Sequence, residues 1–312
     1  MSDRPRMRLK NRTGDPVGIH AQFSGRSSFF FGLIFFGVGV WIGLIGLEVV
    51  EVDPSKVNAP MWVLTACGVI FALSGCLIWG MVLRHIRLLR NVEQLAKQYP
   101  GDPAMADYPW DRTGFTPPRW TPARKSWVAV LFFIVFALIP NWLSREIDSG
   151  FANVFMGFMA VMMNLTVLAV IVYAARLTWH AFKFGKTRLV YPAFPLRPGQ
   201  RSDLEIQLPS SLRHVTGGMA TLRCLKEYYE TSGSGKNRSQ RLVHDILYED
   251  PQSISAEDLN RTPGAVHVEL DLPEDAPTTQ IQGNPTHFWE LELELNVKGL
   301  DLKQRYLIPV YG

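Results

Sequence analysis

The sequence predicts a membrane protein in which four transmembrane α-helices precede a cytoplasmic antiparallel β-sandwich. Three observations lead to this prediction. Only 19% of the 312 residues are charged, whereas a soluble domain carries about 25%. Long runs without charge recur within residues 29–183. From residue 184 onward, apolar residues alternate with polar ones at the period of two that a half-buried β-strand requires.

The four apolar runs are long enough to cross a bilayer, which takes about 20 helical residues. The predicted spans cover about residues 29–50, 61–83, 127–143 and 151–175. One buried helix of a large soluble core could imitate one such run, but hardly four in succession. We therefore expect an integral membrane protein whose first partner is the lipid bilayer.

The basic residues predict how the spans are oriented. Eighteen Lys and Arg residues lie in segment 1–28, in connection 84–126 and just after the fourth span, whereas connections 51–60 and 144–150 contain one each. Because Lys and Arg accumulate on the cytoplasmic side, we expect both termini in the cytoplasm, with a bacterial inner (plasma) membrane as the location. The pI of about 9.0 thus belongs to the membrane half, and we expect no nucleic-acid partner.

Small residues form a stripe on each of the first two spans. Such stripes let helix backbones approach closely. Either the two spans pack on each other within one chain, or the stripes form a seam between copies in a homo-oligomer. In the second case the spans, with Asn164, would belong to an oligomeric transport or channel assembly. The stripe residues are Gly32, Gly39, Gly43, Gly46, Gly68, Ala72 and Gly75.

The connection 84–126 combines prolines with aromatic residues. Six prolines lie between residues 100 and 122, a density that interrupts helices and sheets. Trp110, Phe115 and Trp120 lie among them. These aromatics are candidates for docking a protein partner, although they could equally pack back on the protein's own domain.

Residues 184–312 show strand periodicity with turn signals between the strands. Trp289, Leu291 and Leu293 alternate with Glu290 and Glu292, which predicts an apolar inner face and acids in solvent. Seven short strands without a convincing helix predict an antiparallel β-sandwich. The predicted strands are 187–191, 203–208, 219–229, 242–249, 266–272, 289–297 and 306–311.

Two stretches of this region carry a family resemblance. The first is KTRLVYPAFPLRPGQRSDLEIQLP, and the second comprises AVHVELDLPEDAPTT, HFWELELELNVKG and the final YLIPVYG. They resemble the opening hairpin and the closing strands of arrestin-like sandwiches. The resemblance covers about residues 184–312 and implies a protein-interaction or adaptor role. A plain immunoglobulin-like sandwich explains the strand pattern nearly as well.

Known catalytic and ligand-binding motifs are incomplete in this sequence. The segment Gly233-Ser234-Gly235-Lys236 lacks the first glycine and the Ser/Thr of a phosphate-binding loop, so a hairpin tip is the better interpretation. His267 and Glu269 share a strand face without a third ligand. We therefore predict no catalytic, cofactor or metal residues. The predicted function is a non-enzymatic scaffold that presents its sandwich to a protein partner.

Overall fold

The chain forms two compact units. In the computed structural model, the first unit comprises Met1–Gln22, Arg87–Arg119 and Phe182–Gly312, and the second comprises Phe23–Ile86 and Trp120–Ala181. The structure describes residues 7–9, 12, 16–18, 25–52, 60–146, 150–209, 212, 215–233, 239–261, 264–299 and 301–312.

Four of the described helices are long and apolar enough to cross a membrane, as judged by length and composition. The described helices are α1 (Gly25–Gly46), α2 (Met61–Gln98), α3 (Pro103–Asp107), α4 (Thr121–Glu146), α5 (Gly150–Phe184) and α6 (Ala256–Arg261). The four membrane-length helices are α1, α2, α4 and α5.

The helix bounds differ from the predicted spans because apolar character and helical structure end at different residues. α2 and α5 continue beyond residues 83 and 175. The basic and polar residues there end the apolar run, but they do not interrupt a helix. α1 ends before residue 50, where Glu48 adopts a φ of 60°, a left-handed conformation that terminates helices.

Two antiparallel sheets follow, as the sequence predicts. The strands are β1 (Met7–Arg8), β2 (Gly114–Phe115), β3 (Arg188–Val190), β4 (Arg201–Gln207), β5 (Val215–Ser232), β6 (Ser239–Ile254), β7 (Ala265–Asp271), β8 (Thr286–Val297) and β9 (Leu302–Ile308). The five-stranded sheet has the order β1-β6-β5-β8-β9, and the four-stranded sheet has the order β2-β3-β4-β7.

Two strands of the sheets come from outside residues 184–312, the region expected to form the sandwich. β1 comes from the predicted N-terminal segment, and β2 comes from the predicted connection, yet both strands join the sheets. Each has only two residues, which is too short for strand periodicity to reveal.

The main core lies between the two sheets. Trp289, Leu291, Leu293 and Leu295 of β8 face it, together with residues of the four-stranded sheet such as Leu204. The apolar half of the predicted alternation is therefore correct. The polar half is wrong at Glu290 and Glu292, which are 0% and 4% exposed rather than solvated.

A second apolar cluster lies on the other face of the five-stranded sheet, so part of this face is covered. Here Leu225 and Phe288 of the sheet pack against Trp110 and Tyr311. Cys224 of β5 is buried in the main core and the next residue, Leu225, is buried in the second cluster, because successive side chains of a strand point to opposite faces of the sheet.

The proline-rich connection supplies part of this cover. Pro103 begins α3, where its missing N–H costs nothing, and Asp102 caps the helix by accepting from Met105 N at 3.1 Å. Asp107 then accepts hydrogen bonds from Ile281 N at 2.7 Å and from the Tyr311 hydroxyl at 2.7 Å. Pro103 thus fixes the first residue of a short helix that packs on the sheet.

Candidate functional site

The outer face of the five-stranded sheet carries a buried set of charged residues, which is the strongest candidate for a functional site. Antiparallel pairing places Glu227 of β5 opposite His244 of β6, and Arg223 of β5 opposite Glu290 of β8. We name Glu227, His244, Phe288 and Glu290 the outer acidic site. The segment that covers this site, described at residues 7–9, 12 and 16–18, is named the N-terminal strap.

Arg12 of the strap lies between the two carboxylates. Its Nε and Nη2 donate to Glu290 Oε2 at 3.1 and 3.0 Å, and its Nη1 lies 3.9 Å from Glu227 Oε2. The guanidinium carbon lies 5.0 Å from the centroid of the Phe288 ring. The Arg12 side chain is 7% exposed, and both glutamates are 0% exposed. The guanidinium is therefore held in a nearly dry setting by two anions and an aromatic face.

Glu227 also binds the backbone of the strap. Its carboxylate accepts from Gly18 N at 2.7 Å and from Val17 N at 3.3 Å, and His244 Nε2 lies 2.8 Å away. Burial raises the pKa of Glu227, but the hydrogen bonds from His244 and Gly18 N and the charge of Arg12 lower it by more, so the net pKa lies below its usual range. Glu227 is thus ionised at neutral pH.

A neighbouring network compensates Glu292 more fully. Arg305 Nε donates to Glu292 Oε1 at 2.8 Å, and Arg223 bonds both Glu292 and Glu249. Burial raises the pKa of Glu292, while the charge of Arg305 and the hydrogen bond from Arg223 give a net lowering. By contrast, Oε1 of the buried Glu290 receives no hydrogen bond among the described residues.

The strap reaches the site along the edge of the sheet. Met7 pairs with Ile246 and Arg8 with Asp245 of β6, and Leu9 N donates to His244 O at 3.0 Å. Arg8 also forms an exposed ion pair with Glu230 at 2.9 Å. The strap therefore combines a short strand addition with one buried arginine.

The predicted small-residue stripes lie together at the contact between α1 and α2 of one chain. A Cβ added to Gly75 would lie 2.6 Å from Phe36 N, and one added to Gly32 would lie 2.8 Å from the Trp79 ring. At Gly39 the nearest atoms belong to Ala72 and Gly68. Gly43, Gly46 and Gly68 also lie in this contact. This placement corresponds to the interpretation of packing within one chain.

Asn164, the polar residue of the transport alternative, is paired with Asn141. Each side-chain amide donates to the other residue's carbonyl oxygen at 3.0 Å, and Asn141 Nδ2 also donates to Ala137 O at 2.7 Å. This reciprocal pair joins α4 to α5. It is typical of polar helix–helix contacts within a membrane.

Two of the three candidate docking aromatics, Trp110 and Phe115, pack in or against the second apolar cluster. Trp110 is 5% exposed in the second apolar cluster, and its Nε1 donates to the Tyr311 hydroxyl at 3.2 Å. Phe115 lies in β2 opposite Leu189. Trp120 is 38% exposed and belongs to the helical unit. Trp110 thus serves the protein's own packing.

Sequence reasoning missed Arg12, Glu227, His244 and Glu290. One available signal was Phe288, an apolar residue on the face that was expected to be solvated. A large aromatic beside Glu290 indicates that something covers this part of the face. Among the described residues, no group of three His, Cys, Asp or Glu side chains could hold a metal ion.

Comparison with known proteins shows a remote likeness to solved structures. No family model matches the chain, and no curated protein matches it. Part of the chain is similar to the crystal structure of Spo0M, a sporulation control protein from Bacillus subtilis, with a TM-score of 0.26 and 13% sequence identity. The match covers 40% of this chain and 49% of that protein, so the chain spans about half the length of Spo0M. A likeness at this TM-score carries no argument about function.

Proposed function

We propose that this protein is a membrane-anchored interaction scaffold. Its four apolar helices insert into a bilayer, such as a bacterial inner membrane, with both termini in the cytoplasm. Its sandwich, which we propose to be of the arrestin-like type, binds a protein partner on the cytoplasmic side. The outer acidic site and the adjoining sheet edge are the part of the sandwich best suited to recognition.

The observation that carries this proposal is the set of chain segments that together form the sandwich unit. It is assembled from Met1–Gln22, Arg87–Arg119 and Phe182–Gly312, which are the segments before, between and after two helix pairs. Segments of one folded unit must lie on the same side of a membrane, and each pair of spans returns the chain to the side it left. The basic residues are concentrated in or beside the same three segments. Unit composition and charge bias therefore support one orientation.

A site-specific photo-crosslinking experiment in intact cells tests the interaction role. A photoreactive amino acid would replace Leu247 or Met219, which are 40% and 48% exposed on the sandwich. The matched control position is Phe151 on α5, which is 86% exposed. We expect the two sandwich positions to capture one common protein that the α5 position does not capture.

Two results would contradict the proposal. In the first, neither sandwich position forms a protein adduct while purified protein shows an intact fold. In the second, the α5 position captures the same protein as efficiently as the sandwich positions, which would assign recognition to the helical unit instead.

A further inference from the structure

The N-terminal strap contacts the sandwich in the way that a bound peptide contacts a receptor. Its main chain adds a strand to the edge of a sheet, and one side chain enters a buried site beside that edge. This combination of strand addition and a side-chain pocket is a recurring mode of peptide recognition. Here the pocket residue is Arg12, whose guanidinium bonds Glu290.

The charge balance of the outer acidic site favours a cationic ligand. Glu227 and Glu290 are fully buried, and a buried carboxylate without a cation is strongly destabilising. Oε1 of Glu290 remains without a hydrogen bond even with Arg12 in place. Glu290 Oε1 is therefore an acceptor that the site can still offer to a guanidinium.

The geometry favours arginine over lysine. Nε and Nη2 of Arg12 contact Glu290 while Nη1 points toward Glu227, and the planar group lies over the Phe288 ring. A lysine ammonium is a single compact charge and cannot span two carboxylates while stacking on a ring.

Within the described residues, the strap pairs with the edge of β6 through a short strand. β1 contributes two residues beside β6, which has 16. Among the described strands, β1 alone pairs with that edge of β6. A longer extended segment could therefore form more main-chain hydrogen bonds than β1 does, since the edge of β6 continues from Leu247 to Ile254.

We propose that the outer acidic site is an arginine-binding site for an extended basic segment of a protein partner, and that the N-terminal strap occupies it as an exchangeable internal ligand. This inference rests on the proposed function, because it specifies the chemistry of that partner. Displacement of the strap frees the edge of β6 and both carboxylates at once. The incoming arginine replaces Arg12, so the buried charge stays compensated after the exchange.

The test uses the full chain in mild detergent, with a specific protease site inserted between Gln22 and Phe23, at the boundary of the two units. The protein folds with its strap attached, and cleavage then converts the strap into a separate peptide. Native mass spectrometry measures how much of fragment 1–22 remains when a synthetic peptide of residues 5–18 is added. A second peptide carries Arg12→Gln, and a third carries Arg12→Lys.

We expect the wild-type peptide to displace the cleaved fragment, and the Arg12→Gln peptide to compete at least about tenfold less well, because charge-assisted hydrogen bonds to buried carboxylates are lost. The Arg12→Lys peptide should fall between them. In the protein, Glu290→Gln should weaken wild-type peptide binding by about tenfold, whereas Glu294→Gln on the same face of β8 should leave it unchanged. Should Glu290→Gln melt before binding is measured, the three-peptide series decides alone.

Equal competition by the wild-type and Arg12→Gln peptides would overturn the inference, as would the absence of any exchange over a day. The results of this peptide-exchange test and of the photo-crosslinking test of the proposed function can be told apart. Arginine-dependent exchange without a crosslinked cellular partner would uphold the site and contradict the scaffold role. A captured partner that is insensitive to Glu290→Gln would uphold the scaffold role and refute this site.

Discussion

Gly39→Ala should destabilise the helical unit, whereas Gly37→Ala on the same helix should not. A Cβ at Gly39 would lie 2.7 Å from Gly68 O and 2.8 Å from the Ala72 Cα. Both atoms belong to the backbone of α2, so no side-chain rotation relieves the overlap. A Cβ at Gly37 has no neighbour within 4 Å.

The expected magnitude follows from comparing the two variants. Alanine is better than glycine in a helix interior by about 0.5–1 kcal/mol, and this gain is common to both substitutions. Overpacking at a closely packed contact costs about 1–3 kcal/mol. The free energy of unfolding of Gly39→Ala should therefore lie about 1–3 kcal/mol below that of Gly37→Ala.

The assay is reversible unfolding of the purified chain in detergent, monitored by circular dichroism, with light scattering to give the oligomeric mass of each variant. Equal unfolding free energies for the two variants would refute the packing argument. A change of oligomeric mass in Gly39→Ala at unchanged monomer stability would instead assign the stripe to a seam between copies.

Three further outcomes are expected. Trp110→Ala should lower the free energy of unfolding of the sandwich by about 3–5 kcal/mol, because its buried ring fills the second cluster, and a loss below about 1 kcal/mol would contradict this packing role. The folded pKa values of Glu227 and Glu292 lie below the ordinary 4.5, so their ionised forms stabilise the fold above that pH, and this contribution is lost as the pH falls through the folded values. Melting temperatures measured downward from pH 6 should fall most steeply below 4.5, and less so for a Glu292→Gln variant. In a chain without native cysteines, Ser55→Cys should react with an impermeant thiol reagent in intact cells and Ser234→Cys only after lysis, although both positions lie outside the described residues; labelling of Ser234→Cys in intact cells would reverse the proposed orientation.

The features predicted correctly are those that depend only on residues close together in the sequence. Four apolar runs of membrane length require no knowledge of tertiary contacts, and the structure contains four helices that match them. Strand alternation at Trp289, Leu291 and Leu293 likewise identifies the inner face of β8. In each case the signal has a period of a few residues, so one sequence contains it.

The outer acidic site could not be predicted because its parts are far apart in the chain. Arg12 and Glu290 are separated by 278 positions, and no local pattern links them. Alternation shows that Glu290 and Glu292 face away from the core, but it cannot show whether that second face is covered. The cover comes from the strap and from the α3 region, which composition describes only as basic and proline-rich.

In the proposed orientation, the same basic residues serve two purposes. Arg8, Arg12 and Arg188 belong to the charge bias from which that orientation is inferred, and in the folded sandwich each forms an ion pair, with Glu230, Glu290 and Asp111 respectively. Folding withdraws Arg12 from solvent into the outer acidic site. In the proposed orientation, the basic segment that contains Arg12 stays on the cytoplasmic side together with the sandwich, so one segment of sequence bears on both the topology and the occupancy of the site.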